Sequence, residues 1–436
     1  MSDLPAAVSP GNTSYGDENP SQEPQSEGRP QARKTAPTGF RIPRYYQILK
    51  HNIGGTGSLG AGDLFYQNFE GLNNRLARLN GREFINFCSY NYLDLCGDPR
   101  VATAAQAAIE KYGTSVSASR IVSGERPIHL ELEAAIADFV GTEAAIVFVG
   151  GFSTNEDTIA HLMGEGDVIF HDEYIHKSAQ LGAAMSGAKA VSFPHNDLDA
   201  LEKSLQTHRE QGKNALVVVE GVYSMDGDIP DLPKLIELKR RYQTLLMVDE
   251  AHSIGVLGKT GRGLAEHFDI DPDEVDIWMG TLSKSFASCG GYIAGNAELI
   301  EYLRYTAPGF VYSVGLAPPM AAAALKALQL TQEEPQRVSQ LHSRVLLFHT
   351  LAREAGINIG EANEASAVLP VIIGQSDVTI ALSRTLMDKG ILALPIGYPA
   401  VSKSKSRIRF FISCSHTDDD IRSAVEVISN EISGSQ

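Results

Sequence analysis

Short apolar runs and longer amphipathic stretches alternate along the middle of the chain, between about residues 144 and 281. Apolar runs of about four to eight residues are typical of buried strands, and stretches with apolar residues every three or four positions are typical of helices. The pattern predicts strands at 144–149, 168–171, 190–193, 215–222, 245–248 and 277–281. It predicts helices between them at 155–163, 177–186, 198–208 and 232–242. Strands that alternate with helices predict an α/β fold with a mostly parallel central sheet covered by helices.

The two ends of the chain differ from this middle part. Helical stretches at 320–332 and 339–355, followed by short strands and helices, predict a smaller C-terminal α+β domain. Residues 1–39 hold six prolines among Ser, Gly, Glu and Gln and almost no large apolar residue, which predicts disorder. The predicted parts are a disordered tail 1–39, an N-terminal segment 40–99, a large domain 100–310 and a small domain 311–436.

The composition argues against several classes of function. The chain has 436 residues, 53 of them acidic and 37 basic, for a formal net charge of −16. Nucleic-acid binders draw affinity from Lys and Arg on phosphates, so this balance argues against a nucleic-acid partner. No apolar run approaches the roughly 18–20 residues of a membrane span, and the N-terminus lacks the features of a secretory signal. The four cysteines have neither metal-ligand nor disulfide spacing, so we expect a cytoplasmic protein without a metal site.

The segment 247–253, Met-Val-Asp-Glu-Ala-His-Ser, ends an apolar strand in an acid. One interpretation is the Asp-Glu-Ala-His box of a nucleic-acid helicase, which needs an upstream phosphate loop. The only Gly-Lys-Thr, at 258–260, lies downstream, and Ser253 stands where the first Gly of that loop should be. The helicase interpretation therefore fails on the spacing as well as on the charge.

A second interpretation joins this segment to the next predicted strand, which runs into the turn Leu282-Ser283-Lys284-Ser285. Asp249 and a Lys on a Ser/Thr-rich turn about 35 residues later have the order found in pyridoxal 5'-phosphate (PLP) enzymes. In such enzymes the Lys forms a Schiff base with the cofactor, and the Asp keeps the pyridine nitrogen protonated. His176-Lys177 is similar to the His-Lys pair of PLP-dependent decarboxylases, but that pair follows the Asp strand, whereas here it precedes Asp249 by about 70 residues. The order favours Lys284 over Lys177.

Together with the stretches 148–155 and 220–228, these motifs resemble the α-oxoamine synthase family of fold type I PLP enzymes over about residues 80–420. The family includes 5-aminolevulinate synthase, 8-amino-7-oxononanoate synthase, 2-amino-3-oxobutyrate CoA ligase and serine palmitoyltransferase. The resemblance implies a fold type I aminotransferase-like structure, PLP as cofactor and a homodimer with active sites at the subunit interface. It also implies an acyltransferase that joins an amino acid to an acyl thioester by decarboxylative Claisen condensation, which yields an α-amino ketone.

The resemblance assigns cofactor contacts residue by residue. The implied cofactor-binding residues are Gly151, Phe152, His176, Ser224, Asp249, His252, Thr281, Lys284 and Ser313. The backbone of Gly151 and Phe152 and the hydroxyl of Thr281 would hold the phosphate, because amides at a helix N-terminus face an anion. Ser224 and His252 would approach the ring hydroxyl. Ser313 matches a stretch that reaches the phosphate of the partner subunit.

The same resemblance assigns the reaction and the amino acid. The implied catalytic residues are Lys284, His176, Asp249 and His252. Lys284 would remove the α-proton, and His176 would stack on the pyridine ring. Asn91, in Ser-Tyr-Asn-Tyr-Leu, would approach the substrate carboxylate. Arg409, which shares one strand face with Arg407, would bind that carboxylate through its bidentate fork.

Three departures from the family bear on the substrate. Gly397 stands where oxononanoate synthases and serine palmitoyltransferases typically have Arg, and Ala400 replaces a Thr of the aminolevulinate synthases. The stretch 115–120 also departs from the Gly-rich form of the housekeeping members. These departures favour a fatty or polyketide acyl thioester, carried by CoA or an acyl carrier protein, with Ala, Ser or Gly as the amino acid.

Other functions stay open at this stage. The nearest alternative is a housekeeping enzyme like serine palmitoyltransferase or 8-amino-7-oxononanoate synthase. Another fold type I enzyme, such as an aminotransferase or aldolase, would act without a thioester. A non-catalytic partner subunit of a heteromeric synthase would lack the Schiff-base lysine, so Lys284 argues against it. A binding or scaffold protein of the same fold is a further alternative, and a colourless protein unable to bind PLP would favour either of the two.

Overall fold

A computed structural model describes residues 64–398, 400–402 and 404–433. The predicted disordered tail, 1–39, lies outside the described residues, as does the first part of the predicted N-terminal segment. The strands are β1 Phe69–Glu70, β2 Leu76–Leu79, β3 Arg82–Asn86, β4 Ala144–Phe148, β5 Val168–Asp172, β6 Lys189–Phe193, β7 Ala215–Glu220, β8 Leu245–Asp249, β9 Ile277–Thr281, β10 Gly291–Gly295, β11 Val368–Gly374, β12 Ile391–Leu392, β13 Pro395–Ile396 and β14 Ser406–Phe411.

The α-helices of the described residues alternate with the strands from β4 to β8, and elsewhere several helices follow one another. They are α1 Pro99–Tyr112, α2 Pro127–Val140, α3 Gly151–Leu162, α4 Lys177–Ser186, α5 Leu198–His208, α6 Leu232–Tyr242, α7 Leu264–Phe268, α8 Ala297–Thr306, α9 Pro308–Val311, α10 Pro318–Glu333, α11 Gln336–Glu354, α12 Ser376–Asp388 and α13 Asp418–Ser433. Shorter helical turns are Arg120–Gly124, Arg209–Gln211 and Pro272–Glu274. Three of the helices predicted from the sequence, α4, α5 and α6, begin and end at the predicted residues.

The central sheet has seven strands in the order β4-β10-β9-β8-β7-β5-β6. The neighbours from β9 to β6 are parallel, whereas β10 is antiparallel to both β4 and β9. This arrangement confirms the predicted mostly parallel α/β fold. It also adds a strand, β10, that the alternation of strands and helices did not predict.

Burial explains why the middle strands are so apolar. All six residues of β7 are buried, because the central strands of the sheet are covered on both faces. Burying one Val or Leu side chain stabilises the fold by about 1.5–3 kcal/mol. The helices α5 and α6 begin where Asp197 and Asp231 accept hydrogen bonds from the backbone N–H groups of Ala200 and Lys234. Caps of this kind fix where each helix starts and contribute about 1 kcal/mol each.

Two smaller sheets lie at the ends of the described chain. β11, β14 and β13 form an antiparallel sheet, and β1, β2, β3 and β12 form a second sheet in which β3 and β12 are parallel. The pair β3–β12 joins the predicted N-terminal segment to the predicted C-terminal domain. The domain boundaries drawn from the sequence stay a prediction. None of the helices in the described ranges is long and apolar enough to cross a membrane.

Candidate active site

Buried polar side chains stand at the carboxyl ends of four neighbouring strands of the central sheet. Asp172 ends β5, Glu220 ends β7, Asp249 ends β8 and Thr281 ends β9, and each is at most 5% exposed. Ligands of open α/β sheets bind outside these strand ends. A cluster of buried polar groups at this edge therefore marks a candidate site.

A cavity of about 130 Å³ opens at this edge of the sheet. Seven of the residues predicted from the sequence line it: Gly151, Phe152, His176, Asp249, His252, Thr281 and Lys284. Its other polar lining residues are Asn155, Ser178, Glu220 and Ser283. The fold therefore brings together side chains that lie more than a hundred residues apart in the sequence.

Asp249 is oriented by two donors. Asn155 Nδ2 donates to Asp249 Oδ2 at 2.7 Å, and the backbone N–H of Ala251 donates to Oδ1 at 2.9 Å. Asn155 lies in α3, one helical turn after Gly151, so the helix that borders the cavity also holds this carboxylate. Hydrogen bonds to the charged form of a carboxyl group favour that form. A carboxylate fixed in this way suits a cationic ring nitrogen.

Lys284 lies on the turn that follows β9. The pKa of Lys284 is lowered to about 8, mainly because the amine is buried. Asp249 and Glu220 raise this pKa, and the charge of Arg409 lowers it further. Its Nζ lies 5.7 Å from the centre of the Tyr90 ring. A lysine with a lowered pKa has a larger neutral fraction near pH 7, and the neutral amine is the form that acts as a nucleophile or base.

His176 is the N-cap residue of α4, where its Nδ1 lies 2.6 Å from Ser178 Oγ. Its ring meets that of Phe152 edge-on at 5.9 Å between centroids. Desolvation lowers the pKa of His176, with Asp249 opposing this effect and Lys284 adding to it. A ring with a lowered pKa is mainly neutral near pH 7, and it offers a flat aromatic surface at the cavity.

His252 is buried, and its Nδ1 lies 2.7 Å from the Tyr92 hydroxyl. Burial, followed by the charges of Lys284 and Arg409, lowers the pKa of His252 well below its usual value. Burial also raises the pKa of Tyr92, so the tyrosine keeps its proton. Donation of that proton to Nδ1 leaves Nε2–H as the remaining donor of a neutral His252.

An anion could be held where α3 begins. The first amides of a helix have no intrahelical partner, and together with the helix dipole they attract negative charge. A Cβ added to Gly151, the first residue of α3, would lie 2.6 Å from Thr281 Oγ1. The glycine thus lets the N-terminus of α3 pack directly against Thr281, and both residues border the cavity. The free amides at this border suit a phosphate group in the cavity.

Arg409 lies on β14, close enough to Lys284 for its charge to lower the pKa of that lysine. Its Nη1 donates to the carbonyl oxygen of Ser224 at 2.6 Å, and its Nε is buried without a hydrogen-bond partner in the described chain. Arg407 reaches the same loop, where its Nη1 contacts Asp226 Oδ1 at 2.6 Å. Both arginines therefore point to the same side of β14, as the alternation of a strand predicted. Arg409 keeps an unused donor close to Lys284.

Four predicted residues are not among the residues that line the cavity: Asn91, Ser224, Ser313 and Arg409. The side chain of Asn91 is occupied elsewhere, because its Oδ1 accepts from the backbone N–H groups of Leu95 and Cys96. The neighbouring Tyr90, rather than Asn91, brings its ring near Lys284. The geometry does not favour Asn91 as a carboxylate ligand, although its substrate role stays a prediction. Ser224 contacts the site indirectly, through its backbone N–H to Glu220 Oε2 at 3.2 Å.

Sequence reasoning missed four residues at the site: Tyr90, Tyr92, Asn155 and Glu220. Asn155 could have been found, since it follows Gly151 by one helical turn within the phosphate-loop stretch. Glu220 ends a strand like Asp249 and pairs with it in register. Tyr90 and Tyr92 flank Asn91 in the same short motif, and only the folded structure shows which of the three faces Lys284.

A histidine with two carboxylate partners lies at the same edge of the sheet. His195 Nδ1 lies 3.0 Å from Asp172 Oδ1, and its Nε2 lies 2.9 Å from Asp228 Oδ2. Its ring also stacks on Tyr174 at 4.5 Å. Burial lowers the pKa of His195, but hydrogen bonds to Asp172 and Asp228 outweigh it and raise the pKa to about 10. His195 is therefore an imidazolium that ties β5 to the loop after β7.

The pH dependence of stability should reveal this pairing. A raised pKa means that the stabilisation is complete below about pH 6.5, the usual value for His, and is lost as the pH rises towards 10. After a discount for solvent screening, the free energy of unfolding should fall by about 1–3 kcal/mol over this pH range. Chemical unfolding of the apoprotein at pH 6 and pH 10 measures it. The advantage of the wild type over His195→Gln should shrink at the higher pH, and a constant or growing advantage would contradict the pairing.

Comparison with known proteins agrees with this geometry. The sequence profile of the aminotransferase class I and II family matches residues 82–428. The chain is 40% identical over 351 residues to the 8-amino-7-oxononanoate synthase of Fervidobacterium nodosum, which covers 80% of this chain and 88% of that protein. It is 39% identical over 348 residues to the serine palmitoyltransferase of Sphingobacterium spiritivorum, which covers 80% of this chain and 86% of that protein.

A solved structure matches in shape as well. Serine palmitoyltransferase from S. paucimobilis, with bound PLP–myriocin, superimposes with a TM-score of 0.84 and 27% identity, over 90% of this chain and 97% of that chain. The family profile, over residues 82–428, includes every residue that lines the cavity. The similarity therefore extends over the candidate site and not only over a shared core.

Proposed function

The chain belongs to the aminotransferase class I and II family and, within it, to the α-oxoamine synthases, and on this basis we propose that it condenses a small amino acid with a fatty or polyketide acyl thioester. The enzyme is a PLP-dependent acyltransferase. One observation carries the assignment: Lys284 and Asp249 line one cavity, and the charge of Arg409, whose Nε has no partner in the described chain, acts on Lys284. Carbon dioxide and a free thiol leave in the reaction.

The residues at the cavity fit PLP at three points. The N-terminus of α3 at Gly151 borders the cavity beside Thr281 and suits the phosphate, because its first amides have no intrahelical partner. The carboxylate of Asp249, held by Asn155, suits the pyridine nitrogen in its protonated form. The amine of Lys284, whose pKa is lowered to about 8, suits the aldehyde carbon. When bound, PLP supplies an electron sink for the electron pair left on the amino-acid Cα.

The protein's own groups bind and move protons around this centre. Arg409 would hold the carboxylate of the amino acid through its free Nε, since guanidinium and carboxylate form charge-assisted hydrogen bonds. Lys284, once its amine is free and neutral, would take the proton from Cα. His176 offers a flat neutral ring against which a flat group can stack. His252 offers a single neutral donor, Nε2–H.

The choice of acyl donor depends on the segment around Gly397. A side chain there would meet the hydroxyls of Ser376 and Ser406 at 3.1 and 3.3 Å, so residue 397 contributes neither charge nor bulk. The name 8-amino-7-oxononanoate describes a product with a terminal carboxylate, and such a carboxylate needs a cation. Gly397 supplies none, which favours an acyl chain with an uncharged end. We propose CoA or an acyl carrier protein as its carrier.

The 39–40% identities also support a second candidate, a housekeeping enzyme like one of those two relatives. Assays with the PLP-loaded protein separate these options. Gly, Ala and Ser are each mixed with one of three donors: palmitoyl-CoA, another fatty acyl-CoA, or an acyl-CoA with a terminal carboxylate. The same acyl groups are also tested on a carrier protein. We expect thiol release with an uncharged acyl chain and one amino acid, together with labelled carbon dioxide from a carboxyl-labelled amino acid. Thiol release without carbon dioxide would contradict the proposal.

We also propose a homodimer in the cytoplasm. The exposed aromatic residues Tyr302, Tyr305 and Tyr312 and the exposed Val314 lie on the chain around Ser313, and exposed apolar surface of this kind is typical of interfaces. All four cysteines are free, which fits a reducing compartment. Sedimentation equilibrium checks the assembly: the mass of two chains is expected, and the mass of one chain at micromolar concentration would contradict it.

A further inference from the structure

Glu220 is a buried carboxyl group that the reaction described above does not use. It ends β7, is 3% exposed and lines the same cavity as Lys284. Its Oε2 accepts one hydrogen bond, from the backbone N–H of Ser224 at 3.2 Å, whereas its Oε1 is buried without a partner in the described chain. A buried oxygen without a partner is costly and calls for an explanation.

Glu220 and Asp249 are direct register partners on adjacent parallel strands, so the site holds two neighbouring carboxyl groups. Two such groups in a buried place cannot both ionise cheaply. Asp249 accepts two hydrogen bonds, which favour its charge, whereas Glu220 accepts one. Burial raises the pKa of Glu220 well above its usual value; Asp249 and Asp172 add to this effect, and Lys284 opposes it. The proton of the pair therefore rests on Glu220.

The order of the strands indicates what Glu220 faces. In PLP the phosphate arm and the ring oxygen lie on opposite sides of the axis that runs from the ring nitrogen to the aldehyde carbon. The first amides of α3 and Thr281, which would border the phosphate, lie on the β9 side of Asp249, and β8 lies between β9 and β7. The ring oxygen would then lie on the β7 side, where Glu220 presents Oε1.

From this arrangement we propose that Glu220 is a neutral carboxylic acid whose Oε1–H donates a hydrogen bond to the ring oxygen of bound PLP. The inference rests on the proposed function, because it needs PLP in the cavity. A neutral donor stabilises negative charge on that oxygen without adding charge of its own. An ionised Glu220 would instead repel the oxygen. The role therefore requires the O–H group and not the carboxylate.

Two substitutions separate a donor from a carboxylate. Glu220→Gln keeps the shape and supplies an N–H donor, whereas Glu220→Ala removes every donor. Glu250→Gln is the matched control, since burial raises the pKa of Glu250 to about 8 and Glu250 is not among the residues that line the cavity. Three properties are measured besides turnover: the dissociation constant of PLP, the pH titration of the bound cofactor's absorbance, and the infrared carbonyl band of protonated carboxyl groups in the apoprotein.

We expect Glu220→Gln and Glu250→Gln to bind PLP nearly as tightly as the wild type, and Glu220→Ala to bind it about 10- to 100-fold more weakly. The absorbance titration of Glu220→Ala should move to higher pH by about one unit, because the ring oxygen then holds its proton more strongly. The Glu220→Gln apoprotein should lack one infrared band of a protonated carboxyl group, a result that does not depend on the Ala variant folding.

Three results would overturn the inference. Glu220→Gln could behave like Glu220→Ala, which would show that a carboxylate is needed. The infrared band could be unchanged in Glu220→Gln, which would show that the group is ionised. Glu220→Ala could match the wild type in PLP affinity and titration, which would show that Glu220 makes no hydrogen bond to the ring oxygen. In each case a wild type that binds PLP and turns over leaves the proposed function standing, whereas a wild type that binds no PLP ends both.

Discussion

Replacing Lys284 by Ala is expected to lower turnover by about 10³- to 10⁴-fold. The variant loses the amine whose pKa is lowered to about 8 beside Asp249, so no base remains at that place to take the Cα proton. It should also lose the visible absorbance that lysine-bound PLP gives. Steady-state thiol release and the absorbance spectrum of the PLP-loaded protein measure the two effects.

Lys177→Ala is the control for this experiment. Lys177 follows His176 and is exposed, with its Nζ 3.3 Å from Gln180 Oε1. It is the lysine that a decarboxylase-like motif would use, and its loss should leave both absorbance and turnover unchanged. A Lys284→Ala variant that keeps both properties would refute the assignment of Lys284, and loss of both in Lys177→Ala would move the assignment to that residue.

Replacing Asp249 by Asn is expected to lower turnover by about 10²- to 10³-fold while the protein stays folded. The single oxygen of Asn can accept from the Ala251 N–H, and its Nδ2 can donate to Asn155 once that amide turns to present its unpartnered Oδ1, so the local geometry can persist. The lost charge lowers the pKa of a ring nitrogen at this place by one to three units, and the cationic fraction falls accordingly. Thiol release and circular dichroism measure activity and folding.

Glu250→Gln is the matched control for Asp249→Asn. Glu250 is the next residue along the chain, and its pKa, raised to about 8 by burial, means that it is mostly neutral at pH 7. Replacing a neutral carboxyl group by an amide should therefore change turnover little. Equal losses in Asp249→Asn and Glu250→Gln would indicate a general effect on packing and would contradict a special role for the charge of Asp249.

Local pattern was enough to predict the middle of the fold. α4, α5 and α6 were predicted to the residue because an amphipathic repeat is bounded in each case by a capping residue, such as Asp197 before α5. β10 was not predicted, because Gly291–Gly295 is glycine-rich and pairs antiparallel between β4 and β9. Strand order depends on contacts between distant segments, which periodicity does not encode.

The candidate site, like the fold, could be predicted from the sequence only in part. Asp249 and Lys284 could be predicted as site residues because their order and residue types are those of PLP enzymes, and both line the cavity. Asn91 illustrates the limit: its motif resembles a substrate-binding one, yet its side chain accepts hydrogen bonds from the Leu95 and Cys96 amides. The role of Glu220 depends on register with Asp249 and on an unpartnered oxygen, and both require coordinates.

The central claim is that Lys284 removes the α-proton of a bound amino acid, and hydrogen exchange measures this step directly. The PLP-loaded protein is incubated in deuterated water with Gly, Ala, Ser or Thr, and the Cα signal is followed by proton NMR. The account predicts deuterium at Cα of Gly, Ala or Ser in the wild type and none in Lys284→Ala. The absence of exchange with all four amino acids, in a protein shown to hold PLP, would contradict it.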